Sequence, residues 1–226
     1  MIPIYINNRN RLTTTRKMVE YLLKVPEALP IIVDNVSTYG PLLQWYRYCP
    51  AEVIYLTSNA GPWAPWTLDN LARGGEYYVV TDSDLDLSNV PIDLLRMLRK
   101  GLTMHPRRIK AGLSLETCDL PQHLESTHIV QKWEQRFWQT RVDALWWDAN
   151  VDTTFAMYRA GEGWSNVWPA LRADRPYTAR HVPWYRLDDE EEHYFDQHAD
   201  KRWSTWAGWE QENPARAVVL AAMRER

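Results

Sequence analysis

Four short apolar runs, each closed by a polar cluster and separated by helix-length connections, constrain this chain more than any other feature. They are Pro3–Asn7, Ile31–Asp34, Val53–Leu56 and Tyr77–Val80. Runs of that length without polar alternation read as strands buried on both faces. After the first, Thr13, Thr14 and Thr15 offer N-cap hydroxyls to a helix whose apolar positions Met18, Leu22 and Val25 recur at three and four. Pro30 opens the second run, and Pro41 starts a short helix through Leu42, Leu43 and Tyr46. This alternation predicts an α/β fold with a doubly wound, mostly parallel sheet flanked by helices.

The second half is less regular. Pro91–Met104 reads as a helix, Lys110–Leu115 as a strand, residues 122–142 as a long Trp-bearing helix and Thr153–Tyr158 as a strand. Residues 187–200 form an acidic segment, and Ala215–Met223 reads as a closing helix. No internal repeat, low-complexity tract or linker interrupts the chain, so residues 1–226 are expected to form a single domain.

Composition narrows the setting. The 226 residues are 45% hydrophobic, enough for one packed core. Apolar runs such as Ile31–Val33 fall far short of the roughly 20 residues that span a bilayer, so no transmembrane segment is expected. The start, Met1-Ile-Pro-Ile, has neither the basic nor the small-residue features of a signal peptide. Cys49 and Cys118, outside any Cys-x-x-Cys pair, argue against a disulfide framework or a structural zinc site. A cytoplasmic setting is the expectation. Residues 1–110 carry +3 and residues 111–226 carry −6, which is no nucleic-acid signature. The 13 Trp and 12 Tyr against 3 Phe give many rings that both pack and stack on sugars or bases.

In a doubly wound sheet, ligands bind at the carboxyl ends of strands. The polar clusters after the four runs lie at those ends, so Asn7, Asp34, Asn59 and Asp82–Asp86 are expected to meet at one cleft. Asp82-Ser83-Asp84-Leu85-Asp86 is the most informative stretch. Carboxylates at alternate positions repel unless a cation or donors satisfy them, and Mg²⁺ or Mn²⁺ typically shares one or two carboxylates with phosphates. No G-x-G-x-x-G follows a strand and no P-loop is present. A diphosphate would therefore be held through metal.

A buried strand ending in Val80-Thr81-Asp82-Ser83-Asp84 resembles the D-x-D motif of GT-A fold glycosyltransferases, as in the large inverting family two. Val79–Leu87, Lys110–Glu116, Asp152–Phe155 and His181–Tyr185 further resemble a group of little-characterised bacterial and phage GT-A proteins, over roughly residues 1–195. The resemblance implies a nucleotide-diphosphate sugar as donor, UDP-sugar first among them, with Mn²⁺ or Mg²⁺. It places nucleotide contacts at Asn7, Asn8, Arg9 and Asp34, and gives Asp82 to the ribose or the metal's waters. Asp84 would bind the metal and His181 would be its late ligand. Asp86 leaves open a pair shifted to Asp84 and Asp86. Residues 1–110 would then be the nucleotide-sugar half and residues 111–226 the acceptor and metal-completing half.

In inverting members a carboxylate near Asp152 deprotonates the acceptor hydroxyl, with Asp148 as the second candidate. The Asp188-Asp189-Glu190 run follows His181 closely and is a further source of acids. Spacing excludes a zinc protease, since His123/His128 and His193/His198 are five apart and neither pair fits H-E-x-x-H. His105, before Pro106, reads as a helix-end residue. The loop Asn59–Trp66, with Trp63 and Trp66, is expected to wall the donor site, and Trp164, Trp168 and Trp184 the acceptor side. The acceptor itself is expected to be a glycan or, given the phage-like resemblance, a hydroxymethylated base in DNA. The other readings are a nucleotidyltransferase of similar fold, disfavoured by the glycine-free Asn7–Arg11, and a non-catalytic carbohydrate-binding module, disfavoured by the strand–helix alternation.

Overall fold

The structure, a computed structural model, describes residues 1–164 and 170–185. The predicted first-half elements all form. They are β1 (Ile2–Asn8), α1 (Thr13–Leu22), β2 (Ala28–Asp34), α2 (Gly40–Tyr46), β3 (Glu52–Tyr55) and β4 (Tyr77–Asp82). There follow β5 (Leu85–Asp86), α3 (Leu94–Met104), β6 (Lys110–Gly112), β7 (Ser114–Leu115) and α4 (Glu125–Gln135). The remaining strands are β8 (Trp146–Trp147), β9 (Ala156–Arg159), β10 (Ala170–Ala173) and β11 (Thr178–His181). Among the described residues, one sheet runs β3-β2-β1-β4-β9-β6-β10-β8 and a second, smaller one β5-β11-β7. In the large sheet β3, β2, β1 and β4 are mutually parallel, and β9 and β8 are antiparallel to their neighbours.

Alternation along the strands explains the two sides of the core. Ile4 and Ile6 of β1, Ile32 of β2 and Val79 of β4 join one apolar cluster with Met18 and Leu22 of α1 and with Leu42 and Trp45 of α2. Tyr5, Ile31, Val33, Tyr78 and Val80 point the other way, into a second cluster with Ala64 and Ala72. Chain direction accounts for this. Stepping from β1 to β2 to β3 with right-handed crossovers puts α1 and α2 on one face. Returning from β3 to β4 puts that connection on the other face, where the 3₁₀ helix Gly61–Thr67 lies.

Several boundaries differ from the sequence reading, each for a local reason. The residue before α1 is Leu12, and no threonine side chain caps the helix; the Thr15 hydroxyl donates instead to the Arg11 carbonyl at 2.7 Å. β2 begins at Ala28 and runs through Pro30, whose missing N–H is tolerated because β3 pairs only from Ile31 onward. The single strand expected over Lys110–Leu115 divides at Leu113, with β6 in the large sheet and β7 in the small one. The helix expected over residues 122–142 stops at Gln135 and is followed by one 3₁₀ turn, Arg136–Trp138. Beyond it Asp143 takes the Leu145 and Trp146 amides at 2.8 and 3.1 Å, and the resulting turn feeds β8. The strand expected from Thr153 starts at Ala156. The acidic segment 187–200 and the helix expected over 215–223 lie outside the described residues.

Glu116, just past β7, ties the small sheet together. It accepts from Arg175 Nε and Nη2 at 3.0 and 2.7 Å, from the Thr117 and Cys118 amides, and from the Thr178 hydroxyl. Burial pushes its carboxyl up, but the Arg175 fork and the Cys118 amide outweigh this and leave it at about 2, below its ordinary 4.5. A depressed carboxylate adds stability above its unfolded value and loses it as pH falls through the folded value. Glu116→Gln should therefore flatten the acid limb of stability between pH 4.5 and about 2. The expected effect is on the order of 1–2 kcal/mol, because Arg175 is partly solvent-screened. Urea midpoints measured across that range check this, and a variant with an unchanged acid limb would refute it.

Candidate active site

β1 and β4 are parallel neighbours at the point where the strand order β3-β2-β1 gives way to β4, the kind of switch point at which ligands bind outside the carboxyl ends of the strands. The register sets Asn7 opposite Asp82, so Asn8–Arg11 and Asp82–Asp84 emerge side by side. At this point Asp84 Oδ2 lies 3.4 Å from Arg11 Nη2 and 3.5 Å from His181 Nε2. Asp84 Oδ1 is buried with no hydrogen-bond partner among the described residues, and so is His181 Nδ1. His181 arrives from far along the chain because β11 pairs with β5. The register puts His181 opposite Leu85, and the Val182 amide donates to the Asp84 carbonyl at 2.9 Å. The buried Trp184 ring meets the His181 ring edge-on at 4.8 Å, so this tryptophan supports the histidine.

The surroundings push the two aspartates in opposite directions. Burial pushes the Asp84 carboxyl up, but His181 and Arg11 beside it outweigh that and keep it well below the usual carboxylate range. Asp82 is pushed well above that range by burial, then by the charges of Asp84 and Asp152, while the Thr153 hydrogen bond pulls partly back. That bond, from Thr153 Oγ1 to Asp82 Oδ2, is 2.6 Å long. It carries the loop before β9 to the end of β4 and leaves the exposed Asp152 beside the aspartate pair.

The other anticipated residues make contacts of their own. Asp148 follows the edge strand β8 and is ion-paired with Arg108. Asp86 accepts from the Ser88 amide at 2.9 Å and sits opposite Arg180 in the β5–β11 register, whereas His181 goes with Asp84. Asp34 is 3% exposed, and its oxygens take the Tyr46 hydroxyl and the Ser37 amide, both at 3.0 Å. It anchors the loop after β2. Asn7, Asn35 and Asn59 gather around Gly61: the two side-chain amides of Asn7 and Asn35 donate to its carbonyl at 3.1 and 2.9 Å, and its amide donates to Asn59. Gly61 has φ +62°, a left-handed turn that glycine enters without strain. Arg9 donates to the carbonyls of Asn35 and Val36 at 2.8 Å. Trp63 and Trp164 meet edge-to-face at 5.4 Å on the flank of the 3₁₀ helix. His105 caps α3, with its ring 2.9 Å from Asp143. Trp168, Asp188, Asp189 and Glu190 lie outside the described residues.

Arg11 and Thr153 were not singled out by the sequence reading. Arg11 is buried, and its only sequence signal is its place between a strand end and a helix start. Among the described residues no three His, Cys, Asp or Glu side chains are grouped to hold an ion by themselves. A hard divalent cation that keeps waters and phosphate oxygens needs only one or two protein carboxylates. The unpartnered Asp84 oxygen and the facing His181 ring supply such a partial set.

No family model matches the sequence, and no curated protein matches it. Solved structures do share its architecture. The mannosyltransferase PcManGT from Pyrobaculum calidifontis, in complex with GDP-Man and Mn²⁺, superposes with a TM-score of 0.55 at 12% identity over 99% of this chain and 75% of that one. S. aureus TarS, residues 1–349, superposes with a TM-score of 0.51 at 12% identity over 85% of this chain. This chain spans 62% of that TarS fragment. The fold is of the GT-A type.

Proposed function

We propose that this chain is a metal-dependent glycosyltransferase that moves a sugar from a nucleotide-diphosphate sugar to an acceptor hydroxyl with inversion. The observation that carries this reading is the meeting of Asp82, Asp84, Arg11 and His181 at the β1–β4 crevice, with one Asp84 oxygen buried and unpartnered. Support comes from the GT-A type fold and from the GDP-Man and Mn²⁺ bound by PcManGT.

In this reading Asp84 and His181 would hold Mn²⁺ or Mg²⁺. The bound ion supplies a Lewis acid on the donor diphosphate. Arg11, buried 3.4 Å from Asp84, would keep positive charge beside the leaving group. Asp82 would hold the ribose or the metal's waters. Asn7, Arg9 and Asn59, half-buried at the ends of β1 and β3, line the nucleoside side. Asp152, exposed beside the aspartates, accepts the proton of the attacking hydroxyl.

Calorimetric titration with UDP-glucose, UDP-N-acetylglucosamine and GDP-mannose, in Mn²⁺ and then in EDTA, tests the reading. At least one donor should bind in Mn²⁺, with EDTA weakening it by about 10-fold or more. Equal binding with and without metal would remove the metal from the proposal. Failure of every nucleotide sugar and free nucleoside diphosphate would remove the donor class.

A further inference from the structure

Lys110 has no exposed surface, yet it sits in the middle of the large sheet, opposite Tyr158 of β9 and Ala170 of β10. An ammonium there has lost its hydration and is tolerated only where its surroundings compensate. Its Nζ donates to the Val151 carbonyl at 2.5 Å and stands 5.7 Å from the centroid of the Tyr158 ring. Two residues along, on the same face of β6, Gly112 packs against the same loop. A Cβ at Gly112 would lie 2.7 Å from the Phe155 carbonyl oxygen and 2.7 Å from Val151 Cγ1. The next residue, Leu113, donates its amide to that Phe155 carbonyl at 2.9 Å.

The loop 151–155 is thus fastened to β6 at Val151 and Phe155, and to β4 at Thr153 through Asp82. Asp152 is the exposed residue between the fastened Val151 and Thr153. We infer that Lys110 is a positioning residue for Asp152, its buried ammonium holding the Val151 carbonyl so that the neighbouring carboxylate stays at the mouth of the crevice. The inference rests on the reading of Asp152 as the acceptor base. Charge agrees with the geometry: burial pushes the Lys110 ammonium down to about 8, and Asp152 is the group that pulls it back up. An apolar side chain of the same length would fill the space and leave the Val151 carbonyl buried without a donor.

The test compares Lys110→Met, Asp152→Asn and the double variant in the whole chain. The readout is release of nucleoside diphosphate from whichever of UDP-glucose, UDP-N-acetylglucosamine or GDP-mannose binds with Mn²⁺, water serving as acceptor. Lys110→Met is expected to lower kcat by about 10–100-fold with the donor KM within twofold, because the donor site is untouched. The double variant should be no slower than Asp152→Asn alone, since both changes remove one function. Fully additive losses, or a wild-type kcat in Lys110→Met, would overturn the positioning role. Absence of donor binding by the unmodified chain would instead indict the glycosyltransferase reading. If Lys110→Met does not fold, Asp152→Asn carries the test through the Nζ resonance of Lys110. Its titration midpoint should fall when the Asp152 charge is removed, and an unmoved midpoint would overturn the coupling.

Discussion

Asp84→Asn should abolish Mn²⁺-dependent donor binding and reduce turnover by about 10²–10³ while the chain stays folded. The amide keeps the shape of the carboxylate and removes the anion that the ion needs. Arg11 and His181 would then face a neutral group at 3.4 and 3.5 Å. Loss of charge compensation for the buried Arg11 destabilises the fold, and relief of repulsion with Asp82 offsets part of that. The net cost is expected to be on the order of 1–2 kcal/mol, or a few degrees in Tm. Calorimetry and thermal melting separate the two effects. A variant that binds donor and metal like wild type would show that Asp84 has only a structural role.

Asp152→Asn should act on the other half of the reaction. The proposed base touches neither metal nor nucleotide, so donor affinity should remain within twofold while kcat falls by about 10²–10⁴. Asp148→Asn is the internal control. Its carboxylate is engaged by Arg108, so the change should cost some stability and leave kcat within twofold. The reverse pattern, a slow Asp148→Asn and an unimpaired Asp152→Asn, would move the base to the edge strand. Steady-state kinetics of both variants with one donor decides the matter.

Much of the first half was legible because burial on two faces leaves a plain mark. β1, β2 and β4 are almost wholly buried, and their sequences are correspondingly apolar. β5, β7 and β8 are two residues each, too short to imprint any period, and β10 and β11 carry Arg172, Arg180 and His181 among apolar neighbours. Arg172 is tolerated because Glu134 of α4 meets it at 2.5 Å, with both side chains 4% exposed. Such a partner cannot be read from spacing. The long Trp-bearing helix expected through residue 142 ends at Gln135, where a 3₁₀ turn takes over. Past the helix end the Phe137 ring is covered by Arg136 and Arg172, and the Trp138 ring by Arg175.

The sequence by itself determined that four short apolar strands would present polar ends to one edge, and that Asp82 and Asp84 would stand at the last of them; β3, expected to be buried, is instead a largely exposed edge strand. Those are consequences of local hydrophobicity and of a two-residue side-chain period, both written into contiguous residues. Tertiary structure alone decided the partners. It brought His181 and Arg11 to Asp84, gave Thr153 to Asp82 and Lys110 to Val151, and turned Asp34 inward as a loop anchor. The physical reason is that each of these contacts lies where one segment's strand register or crossover meets another's. A charge or a hydroxyl carries no record in its own neighbourhood of the distant group that will satisfy it.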